Sequence, residues 1–224
     1  MYAMSTSADT LPLRRLLMSK RSGETYHHGN LHDTLIAAAI ELIRDKGPNA
    51  FSLRELAKKA GVSHTAPYRH FKDKNALLAA IAETGFKTLT ERTRNAAMQF
   101  DGDPKRQLIE TGVSYVELAL DNPEITQLMF GGFIDTEKCP KENLDSEADN
   151  AFQGLVNLIE SGKQSGIFRN EETELLALAT WSMVHGLAML ITGGQLCGIA
   201  DEQDQVRDLS AKVESLLMEG ILVR

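Results

Sequence analysis

Cysteine is scarce: Cys139 and Cys197 are the only two in 224 residues, and they form no CxxC pair. That excludes a disulfide-stapled scaffold and suits a reduced, cytoplasmic compartment, although a redox pairing of the two stays open at this stage. The usual enzyme signatures are missing as well. There is no glycine-rich phosphate loop, no GxSxG, no HExxH and no adjacent carboxylate pair in an apolar setting. His185 has no evident Ser or Cys nucleophile beside it, so the chain is not read as an enzyme. Tyr26, His27, His28 and His32 cluster without the Cys or carboxylate partners of a closed metal site, and read as surface and capping residues. No metal and no cofactor are expected. Long apolar runs are absent too: residues 187–191 make only a short patch, and residues 11–18 are too short and too interrupted for a signal peptide. No membrane partner is expected.

Positive charge is short over the whole chain, whose formal net charge is −7. Its distribution matters more than its sum. Residues 1–75 hold 12 Lys/Arg against 7 Asp/Glu, and residues 76–224 hold 12 against 24, a head of +5 on a body of −12. Five of the six histidines also precede residue 75. A basic head on an acidic body suits an anionic partner for the head, and a phosphate backbone is the obvious one.

Within that head, residues 52–74 read SLRELAKKAGVSHTAPYRHFKDK. Leu53, Leu56, Ala57 and Ala60 give a first short helix an apolar face. Gly61 follows where a left-handed residue commonly ends a helix, Val62 can plug the corner, and Ser63 is expected to N-cap a second helix. Two short helices about a glycine turn are the geometry of a helix-turn-helix, whose second helix can enter a DNA major groove. Before it, Asn30 is a candidate N-cap for a helix to about Lys46, stopped by Gly47-Pro48. Residues 1–29 lack periodicity and read as a basic tail with an accessory electrostatic role.

The run AGVSHTAPYRHFKDKNALL resembles the DNA-binding signature of the TetR family of bacterial one-component repressors. Ala60, Gly61, Val62, Ser63, Tyr68, His70, Phe71, Lys74, Leu77 and Leu78 carry the likeness. The resemblance implies base-edge readout by Arg54, His64, Thr65 and Ala66, and phosphate contacts from Ser52, Tyr68, Arg69, His70 and Lys74. The side-chain chemistry is suitable: Arg can fork onto guanine, and Ala or Thr methyls can meet the thymine methyl. Phe71 is expected in the core, with Tyr68 serving both core and phosphate. Pro67 would be the fourth residue of the recognition helix, where little is lost.

From Lys74 a long helix is expected to about Gln99, with Gly85 as a weak point, followed by helices from Pro104 to Leu120 and from Pro123. Residues 134–146 read as a polar surface loop, a connector or a gate. Further helices are expected over residues 146–163, 171–191 and 202–220. The fold class is therefore all-α. An N-terminal three-helix bundle with the helix-turn-helix spans residues 30–75, and a larger α-helical effector-binding and dimerisation domain spans residues 76–224. Two long apolar C-terminal helices suit a homodimer through a four-helix bundle. NPEITQLMFGG with Trp181, His185 and Gly186 resembles the WHG-type C-terminal domain of one branch of that family.

A body of this kind implies a small-molecule cavity, with Met129, Phe130, Phe133, Trp181, Met183, His185 and Met189 as candidate wall residues. The same residues at helical spacing also suit plain core packing. The expected function is a homodimeric, sequence-specific DNA-binding transcriptional regulator. It would act as a repressor on a pseudo-palindromic operator and be released by an unidentified apolar or amphipathic effector. The alternative is an architectural or division-control DNA binder on the same fold without a ligand.

Overall fold

The computed structural model describes residues 31–135, 142–196, 198 and 202–222. The expected basic tail, the Asn30 cap and both cysteines lie outside them. Among the described residues the regular structure is eight α-helices and one 3-10 turn, with no strand beyond a single Phe168–Leu222 bridge.

Helix α1 (Leu31–Lys46) buries Leu35, Ile36, Ala39, Leu42 and Ile43 along one stripe. It stops at Gly47, whose φ of 83° only glycine adopts without strain and whose N–H donates to Ile43 O at 2.7 Å. Helix α2 (Leu53–Lys59) opens on a reciprocal cap. Ser52 Oγ accepts from Glu55 N, and Glu55 Oε2 accepts from Ser52 N at 2.9 Å. It closes with the paired bonds Gly61 N to Lys58 O (3.2 Å) and Val62 N to Ala57 O (3.0 Å), with Gly61 at φ 69°. The glycine turn is as the sequence predicts.

The segment after that turn departs from expectation. Ser63 does not cap an α-helix: its hydroxyl lies 3.3 Å from Thr65 Oγ1, and the only regular helical structure is a 3-10 turn over Pro67–Arg69. Pro67 explains this. An α-helical register would need an N–H at position 67 to bond Ser63 O, and proline has none. The Ala66 N–H takes that carbonyl instead at 3.0 Å, in the tighter i→i+3 pattern.

Helix α3 (Lys74–Met98) is capped by Asp73, which accepts from Ala76 N at 2.9 Å, and spans about 37 Å. Its first turns pack in the head through Leu77, Leu78 and Ile81, and its remainder belongs to the body. Helices α4 (Pro104–Asp121), α5 (Pro123–Phe130), α6 (Glu142–Gln164), α7 (Thr173–Thr192) and α8 (Gln203–Ile221) complete the body. The expected loop over 134–146 is shorter than the sequence suggests, because α6 already begins at Glu142. Gly85 is not merely a weak point. A Cβ there would stand 2.6 Å from Met129 Sδ and 2.8 Å from Ile125 Cγ2, so its absence lets α5 dock flush on α3.

One continuous apolar core runs from Leu35 and Leu56 in the head through α3 to Val184 and Val206 in the body. A second cluster, with Leu108, Ile159, Phe168, Leu176 and Met218, closes the far end. Contrary to the sequence reading, α7 is long and apolar enough to cross a membrane by length and composition. It packs instead against α4, α6 and α8, while Leu175, Leu178 and Leu190 face outward.

Candidate DNA-binding and effector sites

On the head, Arg54, Lys58, His64, Thr65, Tyr68, Arg69, His70 and Lys72 are all exposed. Arg54 and Lys58 lie four apart on α2 and share a face. No ion pair engages Arg54, Lys58, Arg69 or Lys72 among the described residues, whereas Lys59 is held by Glu41 (3.1 Å) and Asp45 (3.5 Å). Four cations are therefore free for an external anion. Lys58 and Lys72 were not singled out from sequence, and what distinguishes them from Lys59 is the lack of a carboxylate partner, which only the fold reveals.

Tyr68 is 53% exposed while Phe71 is 3% exposed, so the two aromatics part company across the turn. Ala66, expected in the base-reading set, differs in exposure from Arg54, His64 and Thr65. It is 9% exposed, turned into the packing beneath the 3-10 turn, and has little methyl to offer a base. Ser52 is exposed but its hydroxyl serves the α2 cap. Lys74 is partly buried; its Nζ donates to Phe51 O at 2.8 Å and lies 4.5 Å over the Phe51 ring. Burial pulls its pKa below the usual lysine range, against the pull of Glu55. An ammonium has three donors, so two remain. His70 neighbours His32 and Phe71 in a loose aromatic group, with His32 5.1 Å from Phe71.

Helix α5 joins head to body. At its start Glu124, 8% exposed, forms an ion pair with Arg44 of α1. Just past its end, Asn75 at the start of α3 makes two 2.8 Å bonds with the backbone of Asp135. Its middle seats on Gly85, and its last residue, Phe130, reaches into the body.

There α3, α4, α6 and α7 stand apart around a cavity of about 640 Å3, within the range of small-molecule sites. Of the seven candidate residues named from sequence, Phe130 and Trp181 line it and the other five do not. Met129 packs on Gly85, Phe133 on Gly131, and Met189 on the core two turns beyond Trp181. Met183, two residues from Trp181, is rotated away from the wall. His185 stands behind it: Tyr115 Oη and His185 Nδ1 lie 2.7 Å apart, and His185 packs edge-on against Phe130 with ring centroids 4.8 Å apart. Burial raises the Tyr115 phenol to about 12 and lowers the His185 imidazole, so this is a neutral pair that props Phe130 and Trp181. The wall residues missed from sequence are mainly on α3, α4 and α6. Thr90, Thr93 and Thr111 interrupt apolar stripes there, and that interruption was the readable signal.

Beyond the wall, Glu214 of α8 is 1% exposed with no hydrogen-bond partner on either oxygen among the described residues. It abuts Gly112, where a Cβ would overlap the carboxyl. Burial pushes its pKa up to about 8, so it is neutral at pH 7.

Comparison with known proteins bears on both sites. The family described as "Bacterial regulatory proteins, tetR family" matches residues 35–81, and "Tetracyclin repressor-like, C-terminal domain" matches residues 108–212. The transcriptional regulator PksA of Bacillus subtilis (strain 168) is 26% identical over 196 residues, 86% of this chain and 92% of that protein. A protein of unknown function from Rhodococcus sp. RHA1 superposes with a TM-score of 0.77 at 28% identity, covering 90% of this chain and all of the other. PfmR, a TetR family transcriptional regulator from Thermus thermophilus, has the same fold, with a TM-score of 0.64 at 21% identity over 83% of this chain and 97% of its own. With a matched helix-turn-helix head, a matched C-terminal body and free cations on the head, the chain belongs to the TetR family of DNA-binding transcriptional regulators.

Proposed function

We propose that the protein is a homodimeric repressor that reads a pseudo-palindromic operator and releases it when a small apolar or amphipathic effector fills the body. The observation that carries this reading is α5, which meets the cavity with Phe130 and the head with Glu124. An effector that pushes Phe130 would move α5 against α3 and α1 and so re-aim the head. Its leverage equals its differential affinity for the two head positions. A hollow body supports this over a ligand-free architectural role, for which a filled core would serve.

Two copies would pair through α7 and α8. Leu175, Leu178 and Leu190 on α7 and Leu216 on α8 are large apolar side chains left exposed, which suits a four-helix bundle between copies. The heads would then sit about one DNA turn apart, ~34–36 Å. In each head Arg54, His64 and Thr65 would read base edges. Ser52, Tyr68, Arg69, His70 and Lys74, joined by Lys58 and Lys72, would hold phosphates and set register. Such a regulator works in the cytoplasm, beside the chromosome.

Selection of bound DNA from a random pool, repeated across salt concentrations, tests the reading. A palindromic consensus with a steep salt slope is the expected result. No enrichment, or sequence-blind binding alone, would overturn it.

A further inference from the structure

The cavity is divided along its length by polarity. Helix α4 runs back along α3, and α6 runs beside α3 with Glu147 level with Lys87 (3.8 Å). In the wall Phe86, Tyr115, Phe130, Phe152 and Trp181 make one aromatic group, in which Phe86–Phe130, Phe130–Trp181 and Phe152–Trp181 centroids lie 5.4, 5.8 and 6.0 Å apart. Two helical turns along α3 from Phe86 the wall includes Arg94, and Gln107, Asn157 and Ser161 are further polar residues that line it. Arg94 follows Phe86 by eight residues, about 12 Å of rise along α3.

Charge in this wall has one sign. Among the lining residues Arg94 alone carries a formal charge, no carboxylate is present, and Arg94 makes no ion pair among the described residues. Glu214 approaches Gly112 from the α8 side and is not part of the wall. Also in the wall, Thr90 and Thr111 carry buried hydroxyls with no hydrogen-bond partner among the described residues, an arrangement that costs stability unless a ligand or water satisfies it.

Resting on the effector reading above, we propose that the cavity takes an amphipathic anion. Its carboxylate meets the Arg94 guanidinium at the polar end, and its apolar tail runs past Thr90 and Thr111 to the aromatic end at Phe130 and Trp181. A guanidinium binds a carboxylate in a two-pronged geometry that neither an alcohol nor an amine can reproduce. A cationic amphipath would instead bring its charge to a wall holding no anion.

The test uses the full chain and three probes of equal chain length: decanoate, decanol and decylamine. Trp181 is the only tryptophan, so its fluorescence reports directly from the aromatic end. Decanoate is expected to bind at least tenfold more tightly than decylamine. Arg94→Gln is expected to weaken decanoate at least tenfold and leave decanol unchanged. Arg94 is exposed, so the variant should fold; a melting curve checks that, and Arg94→Lys should recover part of the affinity. Equal or tighter binding of decylamine, indifference of decanoate to Arg94→Gln, or no response of Trp181 to any probe would overturn the assignment. Operator binding is read in parallel. Arg94-dependent decanoate binding without loss of DNA would retain the site and refute effector control. Release of DNA by decanol and decylamine alone would retain effector control and refute the anion.

Discussion

Around α2 the side chains of Leu35, Ala39, Leu56 and Leu77 are sealed from solvent, whereas in the body α3, α4, α6 and α7 stand apart around about 640 Å3 of space. The head is filled and turns its unpaired cations outward. The body is hollow, leaves Thr90, Thr111 and Glu214 without partners inside, and turns leucines outward. A surface that must meet a rigid, repeating polyanion benefits from a stiff support. A region that must respond to a small molecule needs room and two arrangements of similar free energy.

Breaking the packing tests this contrast most strongly. Leu56→Ala, in the filled head, should lower unfolding free energy by about 2–5 kcal/mol in a urea titration, whereas Leu155→Ala, on the cavity wall, should cost under about 1 kcal/mol because it deepens space already present. Equal losses would mean that the body is as tightly packed as the head. Next is Glu214. Its folded pKa is raised from 4.5 to about 8, so between those values the folded chain holds a proton that the unfolded chain has released. Stability should therefore fall as pH rises through that window, by on the order of 5 kcal/mol. Glu214→Gln should flatten the slope and melt above wild type at pH 9; melting curves across pH decide it.

Smaller again is the junction. Arg44→Ala leaves the Glu124 carboxylate, 8% exposed, without its cation, and should cost about 1–3 kcal/mol in the same titration. Under the proposed effector control it should also reduce the effector's grip on DNA affinity without altering effector affinity for the free protein by more than a few fold. Finest is the head surface. Arg54→Ala should cost about 1–3 kcal/mol at one operator position and relax preference there, while Tyr68→Ala weakens all sequences alike and leaves the preference intact. Wild-type binding by both variants would refute the assignment of this face.

The head was largely legible because its signals are local. Gly61, the α2 stripe and the cationic run each act within a few residues, and the fold follows them. Pro67 was visible too, but its effect was misjudged. One missing N–H matters little in a long helix, yet here it suffices to leave a single 3-10 turn between Ser63 and Lys74. The cavity was less legible because a wall facing empty space and a wall facing side chains share the same helical spacing. Size did not separate Phe130 and Trp181, which line the cavity, from Met129, Phe133 and Met189, which do not, and Arg94 was hidden among the exposed charges of α3. Glu214 had no sequence signal at all: it sits in an amphipathic stripe, and only the opposing Gly112 makes room for it.

The ties of α5 to Arg44 on one side and to the cavity on the other have a reciprocal consequence. A strut that carries load from effector to head carries it back. Under the proposed control, the factor by which bound effector weakens operator affinity is the factor by which bound operator weakens effector affinity. Protein free in the cell would be the better receptor, and a copy already on its operator would need a higher effector concentration to respond. The threshold of the response would thus depend on how many operator sites the cell contains, through a helix of eight residues.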